Sequence, residues 1–355
     1  MSLDQLACED ALRLAVLLAG EVHAVRIDEG ALTLHALTPR GEARVALHPD
    51  ARAERYLTRV RGALAGHAMG SPGGYPVHLR RWTRSGHASP KNLEALLRLG
   101  EPEAVTAVSL SAHLTDELAR RVWWVQPGSD TARAMLAHDA VRRGAMGPVL
   151  ARHLLEHLAF EADPDAAIAS VTAIAAAGLL DAAARERLWK AAQHRPHYLV
   201  GWLAHAPLTL PPAPPREVHP AVAAAAQAGQ PVATLLLRCA SAEGQGFLHA
   251  LALALEKPPT HDAVLRLLDI ASAWFATARS DRGDGSGASV DAAWPDAPPE
   301  VRPAVAAVLA LAAEGRRAAE PILDRTTAVG PLMRRHLAPV LQPLLGHLHL
   351  LRGGA

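Results

Sequence analysis

Helix-start signals recur at short intervals between residues 90 and 205, and they limit this part of the chain to short helices. Each signal is a side chain that can accept a hydrogen bond from the first helical turn, or a proline in that turn, where its missing N–H leaves no bond unmade. The signals are Pro102, Thr115, Ser129, Pro164 and Asp181. A short helix with one apolar stripe cannot bury that stripe alone. The pattern therefore predicts a mainly α protein with an irregular, HEAT-like α-solenoid stack of antiparallel helix pairs.

The composition favours the same helical structure. Half of the 355 residues are apolar, but aromatic residues make up only 4% of the chain. Alanine and leucine, which lose little side-chain freedom in a helix, therefore supply most of the apolar surface. The length suggests two or three domains. The two cysteines, Cys8 and Cys239, lie far apart and outside any CxxC motif, which argues against a disulfide scaffold and a structural zinc site.

A different pattern fills the first 88 residues. Three runs there alternate apolar with polar residues and are separated by turns that contain glycine or proline, at 25–27, 32–36 and 43–47. Period-two alternation with tight turns is typical of an antiparallel meander with one buried face. We predict a helix at about 51–66 and a fourth strand at 75–82. Residues 1–88 are thus predicted to form a small α+β domain, which the helical domain at 89–205 follows.

Proline and glycine divide the rest of the chain. Residues 206–220 are rich in proline and are predicted to form a stiff, extended interdomain linker. Residues 221–355 are predicted to form a C-terminal helical domain with a flexible loop at 280–299, where glycine, aspartate and proline are concentrated. The last helix, at about 329–351, contains three prolines and is expected to be kinked or broken.

No stretch of the sequence predicts membrane insertion or export. There is no run of about 18 uncharged apolar residues, which a membrane-spanning helix would need. The first 20 residues lack a basic start and are interrupted by charges, so they are interpreted as an amphipathic helix and not as a signal peptide. We therefore expect a cytoplasmic protein that does not interact with a membrane.

The basic residues are concentrated between residues 40 and 98, where eleven arginines and lysines face four acidic residues. Because guanidinium groups bind phosphate and aromatic rings stack on bases, this region is a candidate for contact with nucleic acid or another anion. The candidate residues are Arg52, Arg55, Arg59, Arg80, Arg81, Arg84 and Trp82. The alternative, which we favour, is that these arginines pair with acidic residues of the chain or are simply hydrated.

One short motif has the spacing of a zinc site. His153, Glu156 and His157 follow the order H-x-x-E-H, in which the two histidines share a helix face and the glutamate can act as a general base. A chain with nineteen histidines produces such pairs by chance, and no acidic residue stands out as the third ligand. We therefore expect no metal and no cofactor. The chain has no GxSxG or GxGxxG motif, and no catalytic residue is predicted.

Several longer segments resemble the DsrS family, which is encoded among the dissimilatory sulfite reductase genes of sulfur-oxidising bacteria. The similar segments are SPGGYPVHLRRWTR (71–84), LLRLGEPEAV (96–105), LTDELARRVWW (114–124), GAMGPVLARHLLEHLAFE (144–161) and YLVGWLAH (198–205). The resemblance covers roughly residues 10–205 and does not extend beyond the proline-rich stretch. It implies a cytoplasmic protein with a regulatory or accessory role in sulfur oxidation, with no assigned catalytic residue or cofactor.

The leading hypothesis is a non-enzymatic accessory or regulatory protein that binds a protein partner, such as a component of the Dsr machinery. One alternative is RNA or DNA binding by the arginine-rich region for post-transcriptional control. Another is a zinc-dependent hydrolase that uses His153, Glu156 and His157. A sulfur relay would instead require Cys8 or Cys239 to be exposed and reactive.

Overall fold

The structure, a computed structural model, describes residues 6–70, 90–278, 289–313 and 315–353. These residues are mainly helical, with a small antiparallel sheet near the N-terminus, as the sequence pattern predicts. The chain divides into two compact units, Met1–Leu154 (unit 1) and Leu155–Ala355 (unit 2). No helix within the described ranges is long and apolar enough to cross a membrane.

Unit 1 begins with a three-stranded sheet that packs on two helices. The elements are α1 (Cys8–Leu18), β1 (Ala24–Asp28), β2 (Thr33–Thr38), β3 (Gly41–Ala46) and α2 (Ala53–Met69). The strand order is β1-β2-β3, and Leu34 of β2 pairs with Ile27 on one side and Val45 on the other. The same face of the sheet packs on Leu14 of α1 and Tyr56 of α2. The predicted meander and helix are thus confirmed, whereas the strand predicted at 75–82 lies outside the described residues.

Short helices form the rest of unit 1, and local signals fix their starts. They are α3 (Pro90–Leu96), α4 (Pro102–Ser109), α5 (Asp116–Val125), α6 (Ser129–Leu136), α7 (Asp139–Arg142) and α8 (Met146–His157), the last of which passes the division between the units. Thr115 Oγ1 accepts a hydrogen bond from the Leu118 N–H at 3.2 Å, as an N-cap should. Pro102 occupies the first turn of α4. Ser129 is the first helical residue of α6 and not its N-cap, which is Gly128.

Unit 2 consists of helices around one continuous hydrophobic core. The helices are α9 (Pro164–Ala177), α10 (Ala182–His194), α11 (Tyr198–His205), α12 (Pro220–Gln227), α13 (Pro231–Ala240), α14 (Ala242–Glu256), α15 (His261–Trp274), α16 (Val290–Ala293), α17 (Arg302–Ala313), α18 (Arg316–Leu323) and α19 (Gly330–Arg352). Asp163 and Asp181 cap α9 and α10, as predicted. The core extends from Leu158 to Leu351, and α14 lies against α11, α13, α15 and α19.

The proline-rich segment 206–220 lies inside unit 2, where an interdomain linker was expected. Leu210 is buried in the core, the Ala213 N–H donates to Ala242 O at 3.0 Å, and the Arg216 N–H donates to Ala240 O at 2.8 Å. A Cβ atom on Gly246 of α14 would lie 2.5 Å from Pro211 O, so the missing side chain lets the segment approach the helix. Helices on both sides of this segment share one core, so the chain does not divide here. The division lies earlier, after Leu154.

The last helix is continuous and is bound at its C-terminal end. α19 runs through Pro339 and Pro343 without a break over 23 residues, although proline removes a helical hydrogen bond at each position. Nη1 of Arg216 donates to Leu350 O at 3.0 Å and to Leu351 O at 2.9 Å. Leu350 O also accepts from the Gly353 N–H at 3.1 Å, and Leu351 O from Gln245 Nε2 at 3.1 Å, so several groups share the carbonyls at this helix end. The proline-rich segment thus holds the end of α19.

Candidate functional site

The arginines predicted as anion contacts are only partly described. Arg55 and Arg59 lie one turn apart on α2, and Arg52 precedes the helix as its N-cap residue. Arg59 forms an ion pair with Asp50, with Nη1 to Oδ2 at 3.3 Å, and its guanidinium lies 5.5 Å from the Tyr56 ring centroid. Arg52 and Arg55 are exposed. The other candidates lie outside the described residues: Arg80, Arg81, Arg84 and Trp82.

The histidine pair lies on α8, as its spacing predicts, but in two different environments. His153 is half-buried, and its ring lies edge-to-face with that of Trp123, with 4.8 Å between the two ring centroids. His157 and Glu156 are exposed. Within the described ranges no group of three histidine, cysteine or acidic side chains could hold a metal ion.

The two cysteines differ in their exposure. Cys8, the first residue of α1, is exposed, whereas Cys239 is buried in the core of unit 2. Burial raises the pKa of the Cys239 thiol to about 12, because the anion would lose its hydration. Cys239 therefore stays protonated at neutral pH and is a poor nucleophile.

Helix α1 has an apolar pair on the side that faces solvent. Its buried stripe consists of Asp10, Leu14 and Leu18, which are spaced four residues apart. Leu12 and Val16, also four residues apart, lie on another side and are 65% and 68% exposed. A helix that needed only to cover the sheet would carry polar residues there. The pair therefore supplies apolar surface that no described part of unit 1 buries.

An open groove of ≈ 680 Å³ lies between this apolar pair and β3. On the helix side it is lined by Leu12, Val16 and Leu17, and on the strand side by Val45 and Ala46. The charged or titratable side chains in its lining are basic: Arg13, Arg44 and His48. The groove thus combines an apolar floor with a basic rim.

Among the described residues, no strand pairs with the outer edge of β3 along the groove. The Leu47 N–H donates to Leu32 O at 2.8 Å, and the register pairs Val45 with Leu34 and Ala43 with Ala36. Since an antiparallel strand bonds its neighbour through alternate residues, the N–H and C=O groups of residues 42, 44 and 46 point away from β2. The N–H groups of Arg44 and Ala46 have no acceptor among the described residues.

A buried carboxylate connects α1 to the end of this open edge. Asp10 accepts hydrogen bonds from the His48 N–H at 2.7 Å, from His48 Nδ1 at 2.9 Å and from the Tyr56 hydroxyl. Burial alone would raise the pKa of Asp10, but the bonds from His48 and Tyr56 outweigh it and hold that pKa below its ordinary value. His48 is thereby fixed at the rim of the groove with 60% of its side chain exposed.

A second carboxylate positions Arg44 on the opposite face of the sheet. Glu42 accepts from His35 Nδ1 at 2.8 Å, from Arg44 Nε at 3.0 Å and from Trp124 Nε1 at 3.3 Å. The hydrogen bond from His35 is the largest cause that lowers the pKa of Glu42 to about 2, followed by the bond from Arg44. Arg44 is oriented by this bond, yet 70% of its side chain remains exposed.

Comparison with known proteins gives no match. No protein-family model, no curated protein and no solved structure is similar to the chain at a significant level. The binding surface proposed below therefore depends on the contacts and exposed side chains of this chain.

Proposed function

We propose that the chain is a non-enzymatic accessory or regulatory protein that binds a protein partner through the groove between α1 and β3. The observation that carries the proposal is the exposure of Leu12 and Val16 beside the open edge of β3. Covering each of these side chains would contribute on the order of 1 kcal/mol to an interaction. Aromatic or aliphatic side chains of a partner fit the floor, while acidic side chains fit the basic rim.

The cellular role that we propose comes from the sequence resemblance. A member of the DsrS family would act in the cytoplasm, and its partner would be a component of the Dsr sulfur-oxidation machinery. The apolar floor and basic rim described above would form the surface that binds this partner.

Site-specific photo-crosslinking tests the proposed surface. A benzophenone amino acid in place of Leu12 should crosslink to a partner protein in cells that express the chain natively. The same replacement at Leu110, which is 62% exposed and also belongs to unit 1, is the matched control.

The protein crosslinked at position 12 is then purified, and its affinity for three forms of the chain is measured. The double variant Leu12→Glu/Val16→Glu should weaken binding at least about tenfold, because it places charges on the apolar floor. Leu110→Glu should change the affinity by less than about twofold. Equal crosslinking at both positions, or unchanged affinity of the double variant, would reject the groove as the binding surface.

We propose nucleic-acid binding by α2 as a second candidate function. Its support is that Arg52 and Arg55 are exposed and have no acidic partner among the described residues, unlike Arg59. Binding of a single-stranded RNA should then weaken steeply with salt, and Arg52→Ala/Arg55→Ala should reduce it several-fold. If the chain binds no RNA in about 20 mM salt, this candidate fails.

A further inference from the structure

We infer that an extended acidic segment of the partner adds to the open edge of β3 as a fourth strand. The inference rests on the proposed function and specifies how the partner binds. It follows from the backbone of β3, from the side chains on each side of its edge and from the charge of the groove.

The backbone argument starts from the difference between the two edges of the sheet. At the β1 edge, the Val25 N–H donates to Leu97 O at 2.8 Å, so another part of unit 1 covers it. At the β3 edge, the groups of residues 42, 44 and 46 point outward, and Asp10 takes the next outward N–H, that of His48. The open stretch therefore has a defined end at His48. A strand added there gains two or more main-chain hydrogen bonds with β3.

The side-chain argument follows from the two faces of the sheet. Because side chains alternate along a strand, every second residue of an added strand would face the same side as Val45, towards Leu12 and Val16. The residues between them would face the side of Arg44, whose exposed guanidinium lies next to an added strand. A segment that alternates apolar with acidic residues satisfies both faces, and cross-strand pairs of opposite charge stabilise sheets.

Charge favours an acidic segment in particular. The groove lining includes Arg13, Arg44 and His48 and no acidic side chain among the described residues. The carboxylates that pair with these groups do not line the groove: Glu9 pairs with Arg13, Asp10 bonds to His48 and Glu42 bonds to Arg44. A basic segment would bring like charges together along the rim, which is destabilising.

The binding experiment uses the full chain and a fluorescein-labelled peptide of alternating valine and glutamate. Fluorescence anisotropy of the peptide measures its binding. Two altered peptides separate the contributions. Lysine in place of glutamate reverses the charge, and N-methylation of every second residue removes the main-chain donors and leaves the side chains intact. Each change should weaken binding at least about tenfold.

Variants of the chain test the same contact from the other side. Ala46→Pro removes one outward N–H from β3, at an edge position where proline is tolerated, and should weaken binding at least about tenfold. Leu12→Glu should have a similar effect, whereas Leu110→Glu should not. If Ala46→Pro unfolds the chain, the N-methylated peptide still tests the main-chain bonds on the wild-type protein.

The outcomes separate this inference from the proposed function. If the N-methylated peptide binds as tightly as its parent, strand addition is rejected, while the groove can still bind a partner by its side chains. No binding of the valine–glutamate peptide likewise rejects the inference, whereas the crosslinking test of the groove is unaffected. A concentration-dependent dimer that Ala46→Pro abolishes would show that a second copy of the chain occupies the edge, and would also overturn it.

Discussion

At the scale of single residues, Asp10 joins three elements that are distant in the sequence. Its carboxylate on α1 holds His48, which follows β3, and the hydroxyl of Tyr56 on α2. A buried carboxylate is costly unless hydrogen bonds compensate for its lost hydration. Both the stability of unit 1 and the position of His48 therefore depend on this one side chain.

Replacing Asp10 tests that dependence. Asp10→Asn should lower the free energy of unfolding by about 1–3 kcal/mol at pH 7, since an amide cannot accept all of these bonds. Asp130→Asn, a change at an exposed carboxylate that pairs with Arg133, should alter it by less than about 1 kcal/mol. Urea unfolding measures both.

The lowered pKa of Asp10 predicts that the stability difference between the wild type and Asp10→Asn depends on pH. The pKa of Asp10 is lowered in the folded state from its ordinary value of 3.8, so its contribution is fully present above pH 3.8. That contribution is lost as the pH falls through the lower folded-state pKa. The stability difference between the two proteins should therefore shrink in acid. A difference that stays constant down to pH 2 would contradict the shift.

Glu42 gives a prediction that a titration can check directly. NMR should show its carboxyl titrating with a pKa of about 2, and His35→Asn should raise that pKa towards 4.5 by removing the strongest hydrogen bond. The control is Glu117, whose pKa is also about 2, because of its bonds to Arg120 first and Arg121 next. It should not respond to the change at His35. Any stability that Glu42 supplies is present above pH 4.5 and is lost as the pH falls towards 2.

The sequence contains one signal for the Asp10 network that the prediction of an amphipathic N-terminal helix did not use. Asp10 lies four and eight residues before Leu14 and Leu18, on the stripe that faces the core. An acidic residue on a buried stripe requires a partner. The identity of that partner could not be predicted, because His48 and Tyr56 are 38 and 46 residues away.

At the scale of elements, the predictions that succeeded depended on local signals. The meander is specified by alternation within short hairpins, and the starts of α5, α9 and α10 by their own N-cap side chains. The groove was not predicted, because the exposure of Leu12 and Val16 depends on what packs around α1. Trp123 and Trp124 show the same limit. Leu118 and Val122 of the same helix are buried, yet both tryptophans are half-buried.

The contact between α14 and the proline-rich segment gives a prediction at this scale. Gly246→Ala should destabilise unit 2 by about 1–3 kcal/mol, because its Cβ would lie 2.5 Å from Pro211 O. Gly346→Ala on α19 is the matched control, since nothing lies within 4 Å of the added Cβ. It should stabilise the helix by about 0.5–1 kcal/mol. Thermal unfolding measures the stability of both variants. Equal stability changes would contradict the close approach of Pro211 O to Gly246.

At the scale of the whole molecule, the composition predicted a boundary at 206–220, whereas the structure divides after Leu154. A stretch with many prolines is usually a spacer, and for that reason a boundary was expected at 206–220. Composition does not show that Leu210 is buried or that Trp202, just before the stretch, donates from Nε1 to Thr209 at 2.9 Å. Helices α9–α11 and α12–α19 consequently share one core.

Fragments distinguish the two divisions. Residues 158–355 should unfold in one cooperative transition, because the fragment keeps the whole core of unit 2. Residues 221–355 should lack such a transition, since the loss of α11 uncovers the faces of α14 and α15 that pack on it. Circular dichroism during heating measures both. A cooperative transition of the shorter fragment would show that residues 221–355 form a separate domain, as the composition predicted.

The anchoring of α19 has a consequence for synthesis of the protein. The core of unit 2 includes Leu337, Leu344 and Leu351, and the carbonyls at the end of α19 bind Arg216, more than 130 positions earlier in the chain. A growing polypeptide can fold its N-terminal part as it emerges. The core of unit 2 is therefore incomplete until α19 has left the ribosome. Until then the face of α14 that packs on α19 is exposed to solvent, and we expect it to promote aggregation.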